Sequence, residues 1–436
     1  MSNREAATAQ AEILTKAGHI TYFAGGCVRD KLLGLKPKDF DLATSATPKD
    51  VLKLFPGSNQ VGAHFGVVIT KYAGHHIEIA TFRTDGSYAD GRRPDSVTFS
   101  TPEEDAHRRD FTINGLFEHP ETGEIIDHVN GLADIRDRVL RAIGTPSHRF
   151  QEDALRLLRA VRFATTLDFP IETSTLTALR ENSHLLHKIS PERIRDEFSK
   201  IITSRNRRRG IELLVDTGLI QHVIPEVIAL IGCEQPPEWH PEGDVYTHTC
   251  IMLEMLEDDA SLELCLATLL HDIAKPPTQT FDEESNRIRF NGHDTLGAEM
   301  TEEILSRLKY PNAVIRDAAH MVSRHMQFMN VQQMRKARLK RFMSVPTFEQ
   351  EMELHRVDCA SSNGFTDNYV FLHEKAEEFA AEPLIPPAWI SGKDLIQCGL
   401  TPGPGFKEIL DEIQTEQLEG RITSREEALA YLKKLL

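Results

Sequence analysis

The hydrophobic period of this chain changes once, and that change limits what it can fold into. Up to about residue 145, short helical stretches mix with alternating ones. From Glu152 onward the period is 3.6 residues almost to the end. The segment HITYFAGG reads as a strand ending in a glycine turn, and VRDKLLG as a short helix closed by Gly34. Val67 to Thr70 and His76 to Phe82 alternate around Ala73-Gly74, which predicts a hairpin. The expected class is therefore α+β, a small mixed head followed by a long helical body.

The 436 residues suffice for about three domains at roughly 150 residues each. PPEWHPEG (236–243) and the Pro/Gly-dense stretch between Pro383 and Gly405 read as boundaries. Four regions result: 1–145, 146–235, 236–365 and 366–436. Hydrophobic residues at 40% and charged residues at 27% exclude a mainly disordered or fibrous chain. A net charge of −16 excludes a uniformly basic nucleic-acid coat, though local basic patches still bind phosphates. Two such patches are Arg205, Arg207, Arg208, Arg209 and Arg335, Lys336, Arg338, Lys340, Arg341. Each reads as a solvated helix face or as a rest for an RNA backbone. Six scattered cysteines without a Cys-x-x-Cys pair speak against a disulfide framework or a zinc ribbon and for a reducing compartment, the cytoplasm. No run approaches 18 apolar residues and MSNREAATAQ lacks an apolar core, so neither a membrane span nor a signal peptide is expected.

The head carries a candidate phosphoryl-transfer site. Gly25-Gly26 lies between a strand and a helix, where the backbone can approach a phosphate closely, and Arg29 on the following turn could pair with it. In KDFDLAT, Asp39 and Asp41 flank Phe40, and on a strand i and i+2 share a face. Two adjacent carboxylates repel unless a cation such as Mg²⁺ joins them. Glu78, pointing opposite Ile77 and Ile79, supplies a third. Three carboxylates from two strands can hold two metals, one activating an attacking hydroxyl and one steadying a leaving pyrophosphate.

GGCVRDKLLG followed by KDFDLAT resembles the signature of class II nucleotidyltransferases of the polymerase-beta superfamily, which comprise tRNA CCA-adding enzymes and bacterial poly(A) polymerases. RRDFTINGL (108–116) resembles their second motif, EDALRLLRAVRFA (152–164) their nucleotide-recognition motif, and PERIRDEFSKII (191–202) the segment after it. The resemblance implies a polymerase-beta-like head over 1–145 and a nucleotide-recognition and RNA-binding region over 146–235. It places Gly26 and Arg29 at the nucleotide phosphates and Mg²⁺ on Asp39 and Asp41. Arg109 would contact the triphosphate or sugar, and Asp110 and Asn114 would shape the sugar pocket. Gly115 stands where the family often has alanine.

At 100° per residue, Glu152, Asp153, Arg156, Arg159 and Arg162 spread over one half of a helix, with Ala154, Leu157, Leu158 and Val161 on the other. Cytosine and adenine each present an amino donor beside a ring-nitrogen acceptor; uracil and guanine present the opposite polarity. Asp153, which accepts, and Arg156, which donates, therefore suit C and A. The resemblance makes this pair the template, with Arg159 and Arg162 binding the nucleotide and Glu152 orienting the arginines.

In the body, ATLLHDIAKP resembles the HD metal-dependent phosphohydrolases. The order His248, His271-Asp272, His293, His325, Asp358 suggests one cation on His248, His271, Asp272 and Asp358, and a second site completed by His293 and His325, with Asp294 as an alternative ligand. Imidazoles favour Ni²⁺, Co²⁺ or Mn²⁺. The tail 366–436 is expected to pack or to touch RNA. The expected activity is CCA addition to tRNA from CTP and ATP, with an additional HD phosphohydrolase activity. Competing readings are a poly(A) polymerase, a CC-only or A-only enzyme, an HD phosphohydrolase with a nucleotide-binding head, an HD domain that only grips RNA, and a non-catalytic RNA-binding scaffold.

Overall fold

The computed structural model describes residues 1–59, 66–86, 96–362 and 364–436. Packing divides the chain into two units, Met1–Ile228 and Ala229–Leu436. The head of the first unit opens with α1 (Asn3–Lys16), β1 (Thr21–Ala24), α2 (Gly26–Leu32), β2 (Asp41–Thr44) and α3 (Pro48–Leu54). It continues with β3 (Val67–Tyr72), β4 (His75–Thr81), β5 (Arg83–Asp85), β6 (Val97–Phe99), α4 (Pro102–His107), β7 (Leu116–Glu118), β8 (Ile125–Asp127) and α5 (Gly131–Arg136). Three of these helices start at a reciprocal cap between Ser or Thr and an acidic residue three positions on: Ser2/Glu5, Thr47/Asp50 and Thr101/Glu104.

Six strands form one sheet in the order β3-β4-β2-β1-β7-β8. The expected hairpin at Ala73-Gly74 is its edge. β2 and β4 are parallel, with Leu42 opposite Ile79, and β1 and β2 antiparallel, with Ala24 opposite Asp41. This register sets the Gly25 turn, Asp41 and Glu78 beside one another. Ile77 and Ile79 are buried and Glu78 is exposed, so the alternation in HIEIATF divides core from site.

The helices of the first unit are α6 (Pro146–Glu152), α7 (Leu155–Thr166), α8 (Thr173–Asn182), α9 (Pro191–Ile202), α10 (Arg207–Asp216) and α11 (Ile220–Val223). The expected single helix over 152–164 is broken. Asp153 adopts extended backbone, φ −137° and ψ 105°, and its carboxylate accepts the Leu155 N–H at 3.0 Å. An aspartate that bonds its own backbone competes with helix continuation, and here it wins. Ala154, Leu157, Leu158 and Val161 are buried as the period requires. The 205–209 cluster is not one solvated face: Arg207 is 1% exposed, while Arg208 pairs with Glu212 and Arg209 with Asp168. In the other cluster Arg335, Lys336 and Arg338 are exposed.

Among its described residues the second unit is helical except for one hairpin that the periodicity did not announce. Its elements are α12 (Val245–Met255), α13 (Leu262–Leu270), α14 (Lys275–Thr278), β9 (Thr280–Asp282), β10 (Arg287–Arg289), α15 (His293–Arg307) and α16 (Asn312–Arg324). There follow α17 (Lys336–Met343), α18 (Phe348–Ser361), α19 (Asp367–Phe379), α20 (Gly392–Gln397), α21 (Gly405–Leu418) and α22 (Arg425–Leu435). Leu372 and Phe379 of α19 pack on Phe328, Phe342 and Phe348, and the last three helices enclose a core of their own around Leu395, Ile413 and Leu432. Among the described residues no helix is long and apolar enough to cross a membrane.

Candidate active site

A cavity of about 570 Å³ in the first unit gathers most of the residues singled out in the head. Gly25 turns β1 into α2 at φ +70°, and a Cβ there would stand 3.1 Å from the Arg109 guanidinium. The backbone angle favours glycine, and a larger residue would also push the arginine tip away by a few tenths of an ångström. Gly115 is similarly constrained: a Cβ would lie 2.7 Å from Val129 Cγ2, so the alanine common in the resembled family would force a local shift.

One wall of the cavity is a connected network. Arg29 donates to Asn114 Oδ1 at 2.6 Å, Asn114 donates to Asp110 Oδ1 at 3.0 Å, and Arg159 donates to Asp110 Oδ2 at 2.5 Å. Arg109 is fixed by Asp105 at 3.0 Å and by the Asn114 carbonyl at 3.3 Å. The Phe163 ring lies beneath three guanidinium groups: Arg29 at 5.0 Å, Arg159 at 5.3 Å and Arg162 at 4.1 Å. Burial pulls the Arg162 guanidinium down to about 10 against the opposing carboxylate of Glu197, and Arg159 and Arg29 add to the pull. A wall so crowded with positive charge is suited to a polyphosphate.

Asp110 anchors that wall. Burial alone would raise its pKa, but Arg159 and the Asn114 hydrogen bond hold it down to about 2. A depressed carboxylate stabilises the fold above its unfolded pKa near 4 and loses that contribution as pH falls through the folded value. Asp110→Asn should therefore destabilise the protein by about 2 kcal/mol at neutral pH, and the difference from wild type should shrink between pH 4 and pH 2. Denaturant unfolding of both proteins across that range checks this; a pH-independent difference contradicts it.

The carboxylates join this cavity only in part as expected. Asp41 and Glu78 line it from neighbouring parallel strands. Asp39 precedes β2 rather than sitting in it, and does not line the cavity. The Asp41 pKa is pushed up to about 6, first by desolvation, then by the charges of Glu78 and Asp39, with Arg109 opposing. Asp41 is exposed, so water weakens both effects, but the like charges still oppose one another. Their mutual repulsion is what a divalent cation would relieve, so the donor set fits one. Even so, the three carboxylates do not close into a group with ligand atoms within 4.8 Å of one another.

Asp153 and Arg156 both reach the cavity, from the break and from the first turn of α7. Arg156 donates to Glu152 at 2.6 Å and to the carbonyls of Arg149 and Arg108 at 3.0 and 3.1 Å. A guanidinium has five N–H donors, so two remain for a ligand. Asp153 accepts from Arg193 at 3.3 Å. The sequence reading missed Arg83, Arg108, Phe163 and Arg193 as cavity residues. Arg193 stood in the segment PERIRDEFSKII, which resembled the family without indicating a role.

The second unit holds another polar centre, built almost wholly of buried groups. His271, His293 and His325 each direct Nδ1 at a backbone carbonyl, Thr268 at 2.9 Å, Phe290 at 2.6 Å and Val322 at 2.6 Å. A carbonyl only accepts, so Nδ1 carries the proton and each Nε2 offers a lone pair. Yet His293 Nε2 and His325 Nε2 face each other at 3.2 Å, with Asp272 Oδ1 3.5 and 3.9 Å away. The Nε2 atoms of His248 and His271 are buried without a well-formed hydrogen bond, although Asp358 Oδ1 lies 3.2 Å from that of His248. Facing lone pairs beside carboxylates call for a cation, and mixed imidazole and carboxylate donors suit a divalent transition metal. Close geometry joins His248, His271 and Asp358 in one group and Asp272, His293 and His325 in a second. This departs from the expected division, because Asp272 sits with the later histidines. Asp294 belongs to neither group.

An adjoining cavity of about 340 Å³ is lined by Trp239, His240, Lys275, Phe290, Met326 and Asp358 among others. Lys275, missed by the sequence reading, is buried and pairs with Asp272 Oδ2 at 2.7 Å. The segment 236–243 is part of this wall rather than a mere boundary.

The two centres define a nucleotidyltransferase head joined to an HD domain. The chain matches the poly A polymerase head domain over residues 21–141, the probable RNA and SrmB-binding site of polymerase A over 168–231, and the HD domain over 244–357. It is 34% identical over 438 residues to the CCA-adding enzyme of Ligilactobacillus salivarius, covering 98% of this chain and 95% of that protein. It is 41% identical over 253 residues to that of Limosilactobacillus reuteri; this stretch spans 57% of the chain and 62% of the relative, less than two thirds of its length. The crystal structure of the Bacillus stearothermophilus CCA-adding enzyme in complex with CTP aligns over 100% of this chain and 98% of its own, with TM-score 0.77 and 28% identity. The chain belongs to the family of CCA-adding enzymes.

Proposed function

We propose that the chain adds C, C and A to the 3′ end of tRNA from CTP and ATP, without a nucleic-acid template. The observation that carries this is that Asp41 and Glu78, the arginine wall, and the Asp153–Arg156 pair all line one cavity. Asp39, Asp41 and Glu78 are assigned to Mg²⁺, which when bound would activate the 3′-hydroxyl and neutralise the leaving pyrophosphate. Gly25 and Gly26 give the phosphates room, Arg29 and Arg109 pair with them, Asp110 and Asn114 shape the sugar pocket, and Arg159 and Arg162 grip the nucleotide. The 3′-hydroxyl gives its proton to solvent as its oxygen attacks the α-phosphorus, the bond from that phosphorus to the oxygen shared with the β-phosphate breaks, and pyrophosphate leaves. Asp153 accepts from the amino group of C or A while Arg156 donates to the ring nitrogen. In this division of labour, 1–145 performs the chemistry and 146–235 reads the nucleotide and binds RNA. We place the protein in the cytoplasm, in keeping with six cysteines that are all free.

The test is incubation of tRNA lacking its last three residues with each nucleotide alone and in pairs. CTP alone should give two additions and CTP with ATP three. A long tail from ATP alone would make it a poly(A) polymerase.

The buried histidine centre favours a second activity. We propose that 236–365 binds Ni²⁺, Co²⁺ or Mn²⁺ and hydrolyses phosphoesters, with 366–436 as a region that packs or meets RNA and does no chemistry. Asp272→Ala should remove transition-metal binding and phosphodiester hydrolysis, leaving nucleotide addition within about twofold, since a two-metal centre spans only about 4 Å. Metal content by elemental analysis and hydrolysis of a generic phosphodiester check it. A wild-type protein that binds no transition metal contradicts it.

A further inference from the structure

The loop before α12 brings a carboxylate against two histidines. Glu242 Oε1 lies 2.7 Å from His248 Nδ1 and 2.9 Å from His240 Nδ1, and the Glu242 side chain is only 8% exposed. The two rings meet nearly edge to face, centroids 4.9 Å apart. Asp244 caps α12 through the Thr247 N–H at 2.8 Å, which fixes His248 in the first turn with Glu242 six residues behind it. His248 itself is fully buried.

We propose that Glu242 is a positioning residue of the second site: its Oε1 fixes His248 with Nε2 turned toward Asp358 and a metal, and ties His240 to the wall of the adjoining cavity. The inference rests on the metal-binding reading of that site. A carboxylate only accepts, so Nδ1 of His248 must donate and its other nitrogen is left for the metal. Ser361 Oγ, 3.3 Å from the same Nδ1, is a longer and neutral alternative partner. His271, His293 and His325 obtain the same orientation from backbone carbonyls; His248 relies on a side chain. A charged partner raises the basicity of a ligating imidazole and lowers its freedom to turn, and losing such a partner typically weakens metal binding by about tenfold to 100-fold. The same oxygen serves His240, whose side chain is 17% exposed and lines the cavity beside Lys275. His240 is therefore held toward any phosphoester placed there.

The test is titration of the full chain with Co²⁺, followed by visible absorption, which reports the ligand field directly. Wild type, Glu242→Ala and Glu242→Gln are compared, with metal-free thermal unfolding as the folding control. Glu242→Ala should bind Co²⁺ about tenfold to 100-fold more weakly with an altered spectrum, and Glu242→Gln, which keeps an accepting oxygen but not the charge, should fall between. Both variants binding as tightly as wild type overturns the positioning role. If Glu242→Ala does not fold, an unchanged affinity in Glu242→Gln overturns it equally. Loss of a third equivalent of Co²⁺ with the first two unmoved also overturns it, because His240, Glu242 and His248 would then form a site of their own. Failure of the wild type to bind Co²⁺ at all instead removes the metal-binding reading.

Discussion

Asp41→Ala is expected to lower nucleotide addition by at least about 10³-fold, with tRNA affinity kept within about twofold. Charge stabilisation by a bound metal is worth several kcal/mol, and each 1.36 kcal/mol is about one decade of rate. Asp39→Ala should behave alike if it joins the same metal. The stability consequence has the opposite sign. The Asp41 pKa is pushed up, so its ionisation disfavours the folded state as pH rises above about 4, and only modestly for an exposed group. In EDTA at pH 7 the variant should unfold no earlier than wild type, and any gain should vanish below pH 4. Single-turnover addition and thermal unfolding together check this. Normal addition by the variant refutes the metal assignment, and early unfolding would make Asp41 a structural residue.

Asp153→Ala and Arg156→Ala should relax base choice more than they weaken RNA binding. A well-placed pair of hydrogen bonds discriminates bases by about 1–3 kcal/mol, so misincorporation of UTP or GTP should rise by roughly tenfold or more. Arg156→Ala should have the broader effect, because its guanidinium also joins Glu152 to the carbonyls of Arg149 and Arg108. Sequencing of the added 3′ ends measures it. Unchanged selectivity in both variants would leave Arg156 a structural tie between Glu152 and the carbonyls of Arg149 and Arg108, and not a reader of the base.

The head was legible because its signals are local. Period-two alternation set Ile77 and Ile79 inward and Glu78 outward, and the Gly25-Gly26 turn followed a strand as expected. The break at Asp153 was not legible: 3.6-residue periodicity continues through it, while the carboxylate turns back to the Leu155 N–H at the start of the second helix. Arg207 misled for a related reason, since charge in a sequence does not reveal which residue of a cluster the packing buries. In the body, the histidines and aspartates were found by residue type and order. Their pairing was not, because Asp272 meets His293 and His325 only through the packing of α13, α15 and α16. Glu242 and Lys275 escaped although their partners are near in sequence: His240 and His248 stand two residues before and six after Glu242, and Asp272 three before Lys275, but residue type and spacing alone do not show the loop turning Glu242 onto both rings.

In the proposed function the protein alone reads the base, in the cavity that holds the carboxylates. Equilibrium binding of CTP, ATP, UTP and GTP to the full chain, with Mg²⁺ and no nucleic acid, tests it most directly. CTP and ATP should bind at least about tenfold more tightly than UTP and GTP, and Arg156→Ala should erase the difference. Equal affinity for all four nucleotides, with discrimination arising only once tRNA is added, would contradict it.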